Sequence, residues 1–220
     1  MENLEYIIEN MLPCKMEEIW KACLHKNKRI PYVVEEAGFN SLLLSCIYDF
    51  VSKNEKYESF AVSEAIVIRS GGTKGRCDII WYIDDEAYYL ELKGACFGSN
   101  SVKTDIKNSL NSICHAKEQV KSIDYSQNEK WYNFNPAKRY GCCLSTIHSI
   151  THDERTTFEE ISQIISEKVE SEERYRGLKV FKSKYFKSNE YPIIYDGSEP
   201  YKNDGFFIIG QIFGIDEIKI

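Results

Sequence analysis

Two features of membrane and exported proteins are missing from this 220-residue sequence. No apolar run approaches the roughly 18 residues that a helix needs to cross a bilayer. The segment from Met1 to Met11 carries three glutamates, whereas an export signal begins with basic residues. We therefore expect a cytoplasmic protein that makes no membrane contact.

Recognisable cysteine and histidine motifs are also missing. The eight cysteines include no C-x-x-C pair and are scattered through apolar segments, which favours reduced core thiols over disulfides or zinc ligands. His25, His115, His148 and His152 are isolated from each other, and neither an H-N-H nor a G-x-S-x-G pattern occurs. The sequence therefore offers no nuclease or serine-hydrolase motif built on histidine.

The sequence also lacks an excess of positive charge. The chain has 28 Lys and Arg against 34 Asp and Glu, for a formal net charge of -6. This balance argues against coating nucleic acid through bulk charge and leaves a local basic surface open. Hydrophobic residues make up 43% and aromatic residues 13% of the chain, as in a folded protein and unlike a disordered one.

Hydrophobic periodicity predicts a single domain over 1–220 in three parts. Residues 1–56 are expected to form helices, with a break at Pro13 and a third helix over about Val33 to Val51. Residues 57–150 form the expected core, and 151–220 form a mixed C-terminal extension. The fold class that this order indicates is α/β or α+β.

The core and the extension contain the predicted strands. The core elements are strands at Phe60–Arg69, Arg76–Ile83 and Glu86–Gly94, a helix at Thr104–Ile123 and a buried strand at Tyr140–Ile150. The extension elements are an acidic helix at Thr157–Glu173, a basic stretch at Arg174–Lys187, and short strands near Ile193 and at Phe206–Phe213.

The second and third strands bring two carboxylates together. A two-residue hairpin at Asp84-Asp85 places Asp78 opposite Glu91, and directly opposed Cβ atoms lie about 4.5 to 5.5 Å apart. Such carboxylates repel each other unless one is protonated or a cation such as Mg²⁺ lies between them. Lys93 shares the strand face of Glu91. Its ammonium can orient a water that attacks a phosphate.

This arrangement resembles the PD-(D/E)xK nuclease superfamily over roughly Glu35 to Ile150. Asp78 matches the motif aspartate and Glu91-Leu92-Lys93 the E-x-K triplet, while Cys77 stands where the motif has proline. The resemblance implies a restriction-endonuclease-like core, with a central mixed sheet flanked by helices. It also implies catalysis by Asp78, Glu91 and Lys93.

The metal that the resemblance implies is Mg²⁺, or Mn²⁺ in its place. Its implied ligands are Asp78, Glu91 and the backbone carbonyl of Leu92. Many relatives add a glutamate from the preceding helix, for which we choose Glu36, with Glu35 as the alternate. Glu64, on the first predicted strand as in some relatives, is a further alternate. Compensation of the helix dipole explains Glu35 and Glu36 equally well, and Glu64 also suits a solvent-facing strand position.

Several polar residues are candidates for contact with nucleic acid. Arg76 shares the strand of Asp78, Lys74 lies in the turn before it, and four lysines form a stripe on the predicted helix. The candidates are Arg76, Lys74, Lys103, Lys107, Lys117, Gln119 and Lys121. A salt bridge for Arg76 and a solvated surface for the lysines are the alternatives.

The leading hypothesis is a Mg²⁺-dependent nuclease that hydrolyses DNA, in prokaryotic or phage defence or in DNA processing. RNA is an alternative substrate, and double-strand cutters of this fold are commonly homodimers. A second hypothesis is a non-catalytic nucleic-acid-binding or regulatory module on the same scaffold. A third is a different enzyme whose function lies in residues 151–220.

Overall fold

Seven strands form one mixed sheet in the part of the chain that the structure, a computed structural model, describes: residues 1–24, 36–54, 56–96, 102–151, 158–185, 193–196 and 199–215. The strands are β1 (Ser59–Ile68), β2 (Lys74–Ile83), β3 (Glu86–Cys96), β4 (Lys138–Thr151), β5 (Lys179–Tyr185), β6 (Ile193–Asp196) and β7 (Glu199–Gly214). Their order is β1-β2-β3-β4-β7-β5, and β6 pairs with another part of β7. Only β3 and β4 run parallel to each other within these ladders.

Helices cover both faces of the sheet, so the expected α+β class with a mixed sheet flanked by helices is confirmed. The helices are α1 (Glu2–Tyr6), α2 (Leu12–Leu24), α3 (Glu36–Lys53), α4 (Val102–Lys121), α5 (Tyr125–Tyr132) and α6 (Phe158–Ser171). Leu90 and Leu92 pack in the cluster that α1 to α3 share. Tyr89 lies on the opposite face, with Val120 and Ile123, as strand alternation requires.

The first helices differ from the sequence expectation at Pro13. A π-helical turn over Ile7–Met11 joins α1 to α2, so the helical path runs from Glu2 to Leu24 and the expected break is wrong. Proline removes one helical hydrogen bond and crowds the carbonyl four residues before it. The wider turn before Pro13, in which the Leu12 N–H donates to Ile7 O five residues back, lets the helix continue.

The C-terminal segment belongs to the same sheet as the core. β7 pairs with β4 along almost its whole length and with β5 on its other side. The sequence did not predict β5, which arises from the basic stretch. Its lysines lie close to the N-terminal helices, where Lys179 pairs with Glu5 at 2.9 Å and Lys184 with Glu17 at 3.2 Å.

Side chains bind the main chain of β1, an edge strand of the sheet. The Tyr48 hydroxyl donates to Ala61 O at 2.9 Å, and the Tyr132 hydroxyl donates to Ile66 O at 3.1 Å. Asn128 accepts from Ile68 N and donates to Ile68 O, both at 2.9 Å. Much of the outer edge of β1 is thereby hydrogen-bonded within the molecule.

Two further features bear on the class of protein. Cys46, Cys77, Cys142 and Cys143 are free thiols buried in the core, as expected, and Cys14 and Cys114 are also free. None of the helices in the described residues combines the length and apolar character that a bilayer crossing requires.

Candidate active site

The site lies where β2 separates from β3. The predicted hairpin register is confirmed from Ile83↔Glu86 to Ile79↔Leu90, where the ladder formed by the described residues ends. The expectation that Asp78 and Glu91 form a ladder pair is therefore wrong, and these two residues lie just beyond the last pair. The backbone N–H of Leu92 donates instead to Asp78 Oδ2 at 2.6 Å, so a carboxylate takes the place of a main-chain acceptor.

The Leu92 carbonyl lies on the edge that Asp78 faces. A strand residue presents its N–H and C=O to the same side, because paired residues exchange both bonds. Since the Leu92 N–H reaches Asp78, its C=O is directed to the same gap. The Asp78 carboxylate and this carbonyl thus lie at one gap, and the neighbouring residue Glu91 has a carboxyl close enough to feel the charge of Asp78.

Glu91 is a buried carboxyl with an arginine partner. It is 3% exposed, and Arg69 Nη2 lies 3.3 Å from its Oε1. Burial, reinforced by the charge of Asp78, raises the pKa of Glu91 to about 7, while Lys93 and Arg69 act in the opposite direction. Because negative charge at this position is compensated incompletely, the site favours a proton or an added cation.

Asp78 has the same tendency. Burial raises the pKa of its carboxyl, opposed by the Leu92 N–H and by Lys93, and the charges of Glu36 and Glu64 raise it further. Asp78, Glu91 and Lys93 are thus close enough for their charges to act on one another.

Glu36 reaches this group from the first turn of α3. Its Oε1 lies 3.0 Å from Lys93 Nζ, and the Lys93 side chain is 20% exposed. The structure therefore brings the helix glutamate of our choice to the lysine of the triplet. Glu35, the alternate, lies outside the described residues.

The β1–β2 ladder has a gap beside Asp78, and Asn40 fills it. Pairing runs through Ser63↔Ile79 and resumes at Ala65↔Cys77, which leaves out Glu64 and Asp78. Glu64 has a φ of 52°. Asn40 Nδ2 donates to Asp78 O at 3.3 Å and to Glu64 Oε1 at 3.4 Å. The sequence analysis missed Asn40, whose only sequence signal is its position four residues after Glu36, on the same helix face.

Arg69 is the second residue whose role the sequence analysis missed. Its guanidinium donates to Gln119 O at 2.5 Å, Ser122 Oγ at 2.8 Å, Arg76 O at 2.6 Å and Glu91 Oε1 at 3.3 Å. A planar group with five donors suits such a divergent set of acceptors. Arg69 therefore ties the β1–β2 hairpin to the end of α4 and to the buried glutamate.

The candidate phosphate-binding residues are dispersed. Arg76 is joined to the acidic group through Glu64, at 3.4 Å, and its side chain is 75% exposed. Lys103, Lys107 and the Gln119 side chain are exposed on α4. The other three have partners elsewhere: Lys74 lies over the Trp131 ring, Lys117 donates to Gln211 at 2.7 Å, and Lys121 donates to Glu118 at 3.3 Å.

The donor set suits a hard divalent cation in its chemistry. Among the described residues, no three His, Cys, Asp or Glu side chains lie close enough together to hold a metal ion. Asp78 and Glu91 together with the Leu92 carbonyl nevertheless offer only oxygen, which Mg²⁺ and Mn²⁺ prefer. Both carboxyls have a raised pKa, and a bound cation would stabilise their ionised forms.

Comparison with known proteins gives no assignment: no protein-family model, no curated protein and no solved structure matches the chain. The functional argument therefore rests on the residues of the site.

Proposed function

We propose that the chain is a Mg²⁺-dependent nuclease of the PD-(D/E)xK type that hydrolyses phosphodiester bonds in DNA. The observation that carries the proposal is the meeting of Asp78, Glu91 and Lys93 at the strand separation, with Glu36 bound to Lys93. Two carboxyls with raised pKa values beside an ammonium group are poised for a metal and a phosphate.

Each residue has a distinct part in this reaction. Asp78, Glu91 and the Leu92 carbonyl would hold the Mg²⁺ ion. When bound there, Mg²⁺ would supply a water of lowered pKa and offset negative charge on the phosphate. Lys93 orients the attacking water and offsets charge that develops on the phosphate oxygens. Glu36 fixes the Lys93 ammonium at 3.0 Å and keeps it beside the strand gap.

Substrate binding depends on local basic groups, since the net charge is -6. Arg76 is largely exposed beside the site, and Lys103 and Lys107 are exposed on α4. These residues are suited to contact the phosphate backbone. As part of the same proposal, the protein acts in the cytoplasm, as a homodimer that cuts both strands.

The test uses the purified full chain with labelled duplex DNA, single-stranded DNA and RNA. We expect cleavage of DNA with Mg²⁺ or Mn²⁺ and its loss in EDTA. Asp78→Asn and Lys93→Ala should abolish cleavage while the folded structure remains. The control for Asp78→Asn is Asp49→Asn, at an aspartate of α3 that pairs with Lys15. The control for Lys93→Ala is Lys168→Ala, at a lysine of similar exposure that pairs with Glu172 at 3.2 Å.

The outcome that contradicts the proposal is wild-type cleavage by either active-site variant, or no cleavage of any substrate by the wild type. A second candidate, the non-catalytic binding module, is favoured by one observation: Arg69 already supplies a positive charge to Glu91. That module would bind DNA equally well in EDTA and would bind no Mn²⁺ in calorimetry.

A further inference from the structure

Asn40 is a polar residue on the apolar face of α3. The other six buried residues of this helix are Phe39, Leu42, Leu43, Cys46, Ile47 and Phe50. Asn40 is only 6% exposed, and an asparagine is a costly choice for such a position unless its amide is fully bonded.

The orientation of the Asn40 amide follows from its neighbours. Asp78 O and Glu64 Oε1 can only accept hydrogen bonds when Glu64 is ionised, so the amino group of Asn40 must face both. The amide oxygen, Oδ1, then points away from them. It is buried and has no hydrogen-bond partner within the described residues.

This arrangement works against stability, because a buried acceptor without a partner loses its hydration and gains nothing in return. An apolar side chain of the same size would avoid that loss. The amino group of Asn40 meanwhile contacts the two residues that the β1–β2 ladder leaves out. The gain from Asn40 therefore lies in the placement of Glu64 and Asp78.

We propose that Asn40 is a positioning residue of the metal site, which holds the main chain of Asp78 and the carboxylate of Glu64 where the strands leave a gap. The inference rests on the proposed function, since it assigns Asn40 to the site that binds the divalent cation. Asn40 does not touch the substrate in this role; it acts through Asp78.

The decisive variant is Asn40→Leu, compared with the wild type by Mn²⁺ calorimetry on the metal-free full chain. Hydrogen-bond partners of metal ligands typically contribute about 10- to 100-fold to metal affinity. Because Asn40 holds the main chain of Asp78 and not its carboxylate, we expect a loss at the low end of this range, about tenfold. The melting temperature in EDTA should change little, because the variant removes the unpaired buried oxygen but also takes a hydrogen-bond donor from the Asp78 carbonyl. In cleavage assays the half-saturating Mg²⁺ concentration should rise, with the rate partly recovered at saturating Mg²⁺.

Asn128→Leu is the matched control. Asn128 is fully buried and also binds main chain, but its amide is satisfied on both sides: it accepts from Ile68 N and donates to Ile68 O and Asp124 O. This variant should lower the melting temperature and leave the Mn²⁺ affinity of the folded protein unchanged. Asn40→Ala serves as a second variant if Asn40→Leu does not fold, with the same expected loss of Mn²⁺ affinity.

Two results separate the possible failures. In the first, the wild type binds Mn²⁺ and cuts DNA, and Asn40→Leu or Asn40→Ala binds Mn²⁺ equally tightly. The positioning role of Asn40 is then overturned and the proposed function stands. If the wild type binds no Mn²⁺ and cuts nothing, the proposed function is overturned, and the role of Asn40 with it.

Discussion

The backbone N–H of Leu92 donates to the carboxylate of Asp78 at 2.6 Å. Leu92, which lies between Glu91 and Lys93, thus fixes the side chain of Asp78, although the two strands are no longer paired there. In the proposed metal site, the carbonyl of the same residue would be the third oxygen ligand. The aspartate and the triplet are therefore joined before any cation arrives, which lowers the cost of organising the site.

Glu91→Gln should stabilise the metal-free protein more at pH 8 than at pH 5. The folded pKa of Glu91 is raised to about 7, whereas an unfolded glutamate titrates near about 4.3. Between these values the folded state holds a proton that the unfolded state has released, so stability falls as the pH rises. The gain from Glu91→Gln should grow by on the order of 2 to 3 kcal/mol from pH 5 to pH 8.

Urea denaturation in EDTA at both pH values measures this effect. Glu118→Gln, at an exposed glutamate of α4, is the control and should show little pH-dependent difference. An equal gain at pH 5 and pH 8 would show that Glu91 is ionised throughout.

Metal affinity should depend on pH through the same carboxyl. A ligand must release its proton before it binds a cation, and Glu91 releases its proton near pH 7. The Mn²⁺ affinity should therefore fall about tenfold for each pH unit below 7 and level off above it. Calorimetry from pH 5.5 to 8.5 measures the profile, and an affinity that does not change over that range contradicts the assignment of Glu91 as a ligand.

At pH 8, where Glu91 is ionised, Arg69→Ala should destabilise the protein by about 3 to 5 kcal/mol, the usual result of removing one partner of a buried ion pair. It leaves Glu91 buried without its arginine and deprives the carbonyls of Gln119 and Arg76 of a donor. Arg69→Lys should recover only part of this stability, because one ammonium lacks the planar fork that reaches all these acceptors.

Denaturant unfolding checks the Arg69 prediction, with Arg76→Ala as the control. The Arg76 side chain is 75% exposed, so its truncation should change stability by no more than about 0.5 kcal/mol. A loss of that small size for Arg69→Ala would mean that the four hydrogen bonds of Arg69 add nothing to the fold.

Gly75→Ala should act through Arg69. A Cβ on Gly75 would overlap Arg69 at Nε, so the arginine side chain must move and lose hydrogen bonds of its guanidinium. We expect a clear loss of stability in the wild type and almost none in the Arg69→Ala background. A double-mutant cycle measures this coupling, and additive effects of the two changes would contradict the contact.

The sequence predicted the parts of the site that depend on local rules. A two-residue turn at Asp84-Asp85 sets the register of β2 and β3, and strand alternation puts Glu91 and Lys93 on one face. The start of α3 at Glu36 could be placed near the triplet by resemblance. The turn and the alternation need no knowledge of contacts between distant elements.

Asn40 and Arg69 could not be found in the same way. The role of Asn40 depends on the omission of Glu64 and Asp78 from the β1–β2 ladder, which appears only when three elements meet. Arg69 is 22 residues from Glu91 and 50 from Gln119 along the chain. β5 was missed for the same reason: its basic residues Lys179 and Lys184 pair with glutamates of the first helices, which are distant in the sequence.

The hydroxyls of Tyr48 and Tyr132 and the amide of Asn128 have a consequence for assembly. An uncovered edge strand is a template on which another chain can add a strand, the first step toward fibres and toward sheets shared between subunits. These three side chains occupy acceptors of β1 and a donor at Ile68 that an incoming strand would use. If two copies of this protein join to cut both strands of a duplex, we expect them to meet through helices and loops and not through a continuous sheet across β1.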